Sequence, residues 1–313
     1  MNNIIVIGDY TDWQLKKFRE NFDAIFVNST LDLEKIPLTE RQRIEVVAFK
    51  GHTAFDSGKF GLLPKLKLIS NFGVGFDTID VAAASKFGIV VTNTPDVLND
   101  DVADLAIGLL ISLSRRFMDG VNWVRSGDWE KFGEMPLNRS ISKKNVGIIG
   151  LGRIGYEIGA RLEGFKCSIH YFSRTIKQCP MSWKYYSDPV SLAADVEIIF
   201  VTLVGGKETE KFVNSKVLKA LGTDGLLINI SRGSTIDESA LLDVLEKKEI
   251  RGAGLDVFES EPKINSRFLE LDNVLLQPHQ GSGTFESRQA MSRLQIKNIT
   301  NYFLGIKVLT PVN

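Results

Sequence analysis

The chain has only two cysteines in 313 residues, Cys167 and Cys179. Two thiols cannot build a disulfide framework and these have no metal-ligand spacing, so they point to a reducing compartment and to no metal. A surplus of one charge is missing as well. Lys plus Arg and Asp plus Glu each number 38, so no global field draws the chain to nucleic acid or to an anionic membrane. Long apolar runs are also absent. The longest, Leu105 to Leu113, is flanked by Asp104 and Arg115 and falls far short of a bilayer span. The start, Met1-Asn2-Asn3 leading into Ile4 to Ile7, lacks the cationic head and apolar core of a signal peptide. These absences leave a cytoplasmic protein as the expectation, with neither nucleic acid nor membrane as a partner.

What is present is a large apolar inventory. Hydrophobic residues make up 43% of the chain and charged residues 24%, the balance of an ordinary globular protein. At this length a single core has usually stopped growing, so two domains are expected. Short β-branched runs alternate with amphipathic stretches, the pattern of parallel sheets covered by helices. The first strand candidates are Ile4 to Ile7, Val46 to Phe49, Leu66 to Ser70 and Ile89 to Thr92. A second series follows: Val146 to Ile149, Cys167 to Phe172, Ile198 to Thr202, Leu226 to Ile230, Gly252 to Leu255 and Val274 to Leu276. Thr11 with Gln14 reads as a capping box opening a helix to about Phe22. Asp100 to Phe117 reads as one long, largely apolar helix, and Phe285 to Leu304 as the last helix, returning to the first domain.

Val146 to Gly155 contains G-x-G-x-x-G directly after an apolar strand and at the opening of a helix. Gly150 permits the tight turn, Gly152 lets backbone approach a pyrophosphate, and Gly155 lets helix and strand pack closely. Arg153 and Ile154 then stand at a helix N-terminus, where free N–H groups favour phosphate. An NAD site would carry Asp or Glu at the end of the next strand. The chain instead reads Ser173-Arg174-Thr175, with Arg174 19 positions after Gly155. A guanidinium flanked by hydroxyls suits the 2′-phosphate of NADP, leaving NAD as a weaker substitute.

Three later strand ends carry chemistry. Arg232 follows Asn229-Ile230-Ser231, Asp256 and Glu261 follow Gly254-Leu255, and His279 follows Leu275-Leu276-Gln277-Pro278. Open α/β sheets place ligands beyond such ends. Reduction of a keto acid needs a cation for carboxylate and carbonyl, a proton donor for the nascent alkoxide, and a group that holds the donor protonated. Arg232, His279 and Glu261 fit those roles in turn.

Together with Ile69-Ser70-Asn71-Phe72-Gly73-Val74-Gly75-Phe76-Asp77, these segments resemble the D-isomer-specific 2-hydroxyacid dehydrogenase family over nearly the whole chain. Within it they resemble the hydroxypyruvate, glyoxylate and hydroxyphenylpyruvate reductases. The resemblance implies Arg232 as the substrate-binding and polarising residue, His279 as acid/base, and Glu261 as its orienting partner. It also implies Asp256 at the nicotinamide carboxamide and the backbone of Val74 and Gly75 at the substrate carboxylate. The fold it implies is α/β, two Rossmann-like doubly wound parallel-sheet domains with the active site in the cleft between them. Residues 1–99 and 285–313 would form the substrate domain and 100–284 the cofactor domain. A homodimer is implied too. Trp129 is either a packing residue or a contribution to a partner's pocket; Lys50 and His52 precede a substrate-domain loop, where His52 either lines the pocket or is a surface histidine, and His170, within a strand, is structural.

The expected activity is reduction of a small 2-keto acid by NADPH, with aryl 2-keto acids as an alternative. A non-enzymatic corepressor of the same fold is disfavoured by the lack of tails. Phosphoglycerate dehydrogenase is disfavoured by Arg174 and by the lack of a C-terminal extension.

Overall fold

The computed structural model describes residues 3–313, which divide into two compact units: residues 3–98 with Phe285–Asn313, and Asn99–Thr284. The first unit contains β1 (Asn3–Ile7), β2 (Asp23–Val27), β3 (Val46–Phe49), β4 (Leu68–Asn71) and β5 (Val90–Thr92). All pair in parallel, in the order β2-β1-β3-β4-β5. Ile5, Ile7, Val47, Phe49, Ile69 and Val91 enter one core, while Ile4, Val6, Val46, Ala48 and Leu68 are buried on the other face. Burial on both faces explains why these strands read as continuous apolar runs.

The helix Asp12–Asn21 opens as expected, with the Thr11 N–H donating to Gln14 Oε1 at 3.0 Å. The helix Phe285–Phe303 packs within this same unit. Its buried Gln295 donates through Nε2 to the Ser70 carbonyl at 2.7 Å and to the Tyr10 hydroxyl at 2.9 Å. β2 was not anticipated. It is an edge strand whose residues are at most partly buried.

The second unit contains β6 (Asn145–Ile149), β7 (Ser168–Phe172), β8 (Lys184–Tyr186), β9 (Ile198–Val201), β10 (Leu226–Asn229), β11 (Gly252–Leu255) and β12 (Val274–Leu276). Their order is β12-β11-β10-β9-β6-β7-β8, again parallel. In each sheet the strand order reverses once, between β1 and β3 and between β6 and β9. β8, three residues long at the edge, also escaped the sequence reading.

One expectation is corrected. The single helix from Asp100 to Phe117 is two, Asn99–Ser114 and Phe117–Arg125. Arg116 breaks it with a left-handed backbone, φ 48°. The apolar face that carries the first helix ends at buried Ser114, and residues 115–118 are exposed, so no packing holds the helix together beyond that point. Arg116 instead donates to Asp119 Oδ2 at 2.7 Å, inside the first turn of the next helix. At its other end the first helix is tied to the helix Arg153–Glu163 by Arg161, which meets Asp100 at 2.7 Å, Asp104 at 2.6 Å and Glu157 at 2.7 Å.

Candidate functional site

The turn after β6 is built by its glycines. Gly150 adopts φ 104° and its N–H donates to the Phe172 carbonyl at 2.9 Å. A Cβ on Gly155 would lie 2.8 Å from the Gly150 carbonyl oxygen and 2.9 Å from Thr202 Oγ1, so helix and turn meet only because it is absent. Gly152 differs: a Cβ there would meet no atom within 4 Å. The crowded glycines shape the turn, and Gly152 faces open space. The helix Arg153–Glu163 starts at Gly152 with no side chain capping its first turn. The N–H groups of Ile154 and Gly155 are thus left for a ligand. The residues fit a dinucleotide pyrophosphate.

At the end of β7, Ser173 is buried and its hydroxyl donates to the Thr175 carbonyl at 2.6 Å, so it shapes the turn. Arg174 is presented outward, its side chain 90% exposed. Among the described residues it pairs with Glu208 at 3.4 Å, itself 86% exposed, and such a pair constrains the guanidinium little.

Arg232, Glu261 and His279 follow β10, β11 and β12, three adjacent strands of one sheet. His279 Nδ1 is 2.7 Å from Glu261 Oε2. The other oxygen, Glu261 Oε1, accepts the Phe258 N–H at 2.9 Å. With Nδ1 engaged by Glu261, Nε2 is the ring nitrogen that can serve a reactant. His279 also has a left-handed backbone, φ 55°, a conformation that costs a non-glycine residue energy and that the surrounding loop must hold.

Asp256 holds that loop. Only 1% exposed, it accepts the Gln280 N–H at 2.6 Å and the Gly281 N–H at 2.8 Å, while its carbonyl accepts the His279 N–H at 2.9 Å. Burial raises its carboxyl above the ordinary range, and the two N–H donors offset part of that rise. Both oxygens therefore serve the histidine loop, and a carboxamide would have to use their remaining lone pairs. Gln280 is exposed, and its Nε2 donates to the Pro278 carbonyl at 3.3 Å.

Arg232 rests on a buried polar network that sequence reasoning missed. Asn229 Oδ1 accepts from the Ser231 N–H at 3.0 Å and from its hydroxyl at 2.8 Å. The Arg232 carbonyl accepts from Asn229 Nδ2 at 3.2 Å and from Thr235 Oγ1 at 2.7 Å. Gly233 completes the seat, since a Cβ there would lie 1.8 Å from the Phe258 carbonyl carbon. Its absence brings the Arg232 loop against the Phe258–Glu261 segment.

Val74 and Gly75 belong to the first unit. Their loop is fixed through its carbonyls: Asn71 Nδ2 donates to the Gly75 oxygen at 2.9 Å and Asn93 Nδ2 to the Val74 oxygen at 2.9 Å. Gly73, at φ 144°, exchanges bonds with Thr94. Among the described residues no acceptor meets the N–H of Val74 or Gly75, so the loop presents donors as an anion-binding turn does. Polar residues buried at strand ends, Asn71, Asn93 and Thr94, were the signal that sequence reading overlooked.

The other candidates separate clearly. His52 is exposed after β3. His170 meets the Tyr186 hydroxyl at 3.2 Å and is held below the usual imidazole range by burial. Trp129 is 61% exposed, so it does not pack in this chain's core. Cys167 and Cys179 are free thiols. Among the described residues no helix is long and apolar enough to cross a membrane.

Residues 107–281 match the family described as D-isomer specific 2-hydroxyacid dehydrogenase, NAD binding domain. The chain belongs to the D-isomer-specific 2-hydroxyacid dehydrogenases. The matched residues fall inside the second unit, where the glycine turn and the three strand-end residues lie. Among relatives of this dehydrogenase, glyoxylate/hydroxypyruvate reductase A of Arabidopsis thaliana is 46% identical over 88% of this chain and 87% of its own. Hydroxyphenylpyruvate reductase of Plectranthus scutellarioides is 44% identical over 87% of each. Among solved structures, the NADPH-dependent glyoxylate/hydroxypyruvate reductase of Sinorhizobium meliloti, in complex with NADP and malonate, superposes with a TM-score of 0.93 at 40% identity. That match covers 99% of this chain and 96% of the other.

Proposed function

We propose that the protein reduces small 2-keto acids, hydroxypyruvate or glyoxylate foremost, to D-2-hydroxy acids with NADPH. The observation that carries this reading is the His279–Glu261 pair, 2.7 Å apart and held on strand ends next to that of Arg232. The Gly150–Gly155 turn would hold the pyrophosphate of NADPH, which would supply the hydride. Arg232 binds the substrate carboxylate and polarises the keto oxygen, and the free N–H groups of Val74 and Gly75 hold the same carboxylate. His279 donates its Nε2 proton to the alkoxide oxygen, and Glu261 keeps Nδ1 engaged throughout. Asp256 fixes the imidazole's loop and meets the nicotinamide carboxamide. The unit of residues 3–98 and Phe285–Asn313 is the substrate domain and Asn99–Thr284 the cofactor domain.

The exposed Arg174, with Thr175 beside it, selects NADP over NAD through the 2′-phosphate. The NADP complex of the Sinorhizobium meliloti relative supports this choice. The protein works as a cytoplasmic homodimer. Phe117, Met118, Val121, Val124, Trp129 and Phe132 are all exposed on consecutive helices, an apolar surface of the kind that a partner covers.

The test is the initial rate of NADPH oxidation with glyoxylate, hydroxypyruvate, pyruvate, phenylpyruvate and hydroxyphenylpyruvate. The small acids should give the highest kcat/KM. The Plectranthus scutellarioides relative keeps aryl acids in the panel, and a preference for them would move the substrate class. Absence of turnover with every acid would favour a corepressor-like binding protein.

A further inference from the structure

In an open parallel sheet ligands settle beyond the strand ends where the strand order reverses. In the first unit that point lies between β1 and β3. Asp9 and Tyr10 follow β1 there, Lys50 follows β3, and Phe72 follows neighbouring β4. Lys50 Nζ lies 5.5 Å from the centre of the Tyr10 ring and 5.6 Å from that of Phe72. Arg288, on the helix Phe285–Phe303, brings its Cζ to 5.8 Å from the same Phe72 ring. Both rings are buried, at 6% and 7% exposure. Two half-buried cations therefore share one aromatic ring.

Lys17, Lys35 and Lys59 of the same unit each meet a carboxylate, whereas neither Lys50 nor Arg288 makes a salt bridge among the described residues. Lys50 donates to the Asp9 carbonyl, and the exposed Asp9 carboxylate is the one acid that favours its charge. Burial and the nearby Arg288 disfavour that charge, and burial likewise disfavours the charge on Arg288. The ring faces offset only part of such desolvation. An uncompensated cation pair at a ligand-binding edge is a cost to the fold that a bound anion removes.

We propose that Lys50 and Arg288 form a distal anion subsite, which favours 2-keto acids carrying a second negative group, carboxylate or phosphate, beyond the keto carbon. This rests on the reading above, in which the Val74–Gly75 turn, two residues past Phe72, holds the keto-acid carboxylate.

Calorimetric titration of the full chain with succinate and with butyrate isolates the second charge without turnover. Succinate should bind at least about tenfold tighter, the scale of one charge-assisted bond. Lys50→Met and Arg288→Met should each erase the margin and Lys50→Arg should keep it, with near-ultraviolet circular dichroism reporting the fold. Equal affinity for the two acids in the wild type, or a margin that survives both Met variants, overturns the subsite. With NADPH, the kcat/KM ratios of oxaloacetate to pyruvate and of phosphohydroxypyruvate to hydroxypyruvate show whether carboxylate or phosphate is the better second group. Lys50→Met should lower the favoured ratio about tenfold, and unchanged ratios would mean that the cations serve the keto-acid carboxylate itself, which also overturns the proposal. If succinate keeps its margin while no keto acid is reduced, the subsite stands and the assigned activity falls.

Discussion

Glu261 reaches His279 with one oxygen and the Phe258 N–H with the other, at 2.7 Å and 2.9 Å, so the carboxylate is fixed from both sides and the imidazole can offer only Nε2 to a reactant. Glu261→Gln removes the charge from this pair while keeping its size. It should lower kcat for reduction by about tenfold or more, while the dissociation constant of NADPH, read by fluorescence titration, stays near the wild-type value. Parallel loss of coenzyme affinity and kcat would assign Glu261 to the fold.

Gly152 and Gly155 should separate binding from folding. Gly152→Ala adds a methyl where the protein has no atom within 4 Å, so the thermal midpoint without coenzyme should not move. NADPH affinity should fall by about tenfold or more, because the methyl stands where backbone approaches the pyrophosphate. Gly155→Ala meets the Gly150 carbonyl oxygen at 2.8 Å and should lower the midpoint as well. Unchanged NADPH affinity in Gly152→Ala would place the phosphates elsewhere.

Gly233→Ala tests the seat of Arg232. Its Cβ would lie 1.8 Å from the backbone of Phe258, which cannot give way as a flexible side chain does. The loop must shift, at a cost of about 1–3 kcal/mol of stability, measurable as a lower urea midpoint. Since Arg232 and the segment leading to Glu261 separate together, kcat should fall further than the lost stability alone explains. A variant with wild-type kcat would show that Arg232 does not depend on this contact.

Asp256 predicts a pH effect. Its carboxyl is raised above the ordinary range, chiefly by burial, so the folded state holds the proton more tightly than the unfolded one. The stability this contributes is present below the unfolded value of about 4 and is lost as pH rises through the folded value. Asp256→Asn cannot ionise. The difference in unfolding free energy should therefore shift in the variant's favour as pH rises above about 4, even as the variant loses activity with its histidine loop. A difference that does not vary with pH contradicts the buried charge.

Arg174 predicts coenzyme choice. A charge-assisted bond contributes about 1.5–3 kcal/mol, so Arg174→Ala should raise KM for NADPH roughly tenfold to a hundredfold and leave NADH little changed. Arg174→Asp should invert the preference. Initial rates with both coenzymes decide it, and a wild type that prefers NADH would refute the role of Arg174.

Much of this architecture could be read from the chain because parallel strands buried on both faces announce themselves as apolar runs. Val46–Phe49, Gly252–Leu255 and Val274–Leu276 were delimited to the residue. The edge strands Asp23–Val27 and Lys184–Tyr186 were not found, since each opens on an exposed charged residue and is too little apolar to stand out, whereas the edge strand Val274–Leu276 is apolar throughout. The helix break at Arg116 depends on where the buried face ends, which no local propensity records. At the site, the residue types of Arg232, Glu261 and His279 were legible, because their chemistry and strand-end positions are sequence properties. What holds them was not. The left-handed backbone of His279, the clasp of Asp256 on Gln280 and Gly281, and the contact of Gly233 with Phe258 arise from segments distant in sequence.

The role of His279 as proton donor in NADPH-dependent keto-acid reduction is reached directly by one paired assay: the rate of NADPH oxidation with hydroxypyruvate by wild type and by His279→Ala. The wild type should turn over, and the variant should lose roughly a hundredfold or more in kcat while binding NADPH as before. Comparable rates in the two proteins, or no oxidation of NADPH by the wild type, would contradict it.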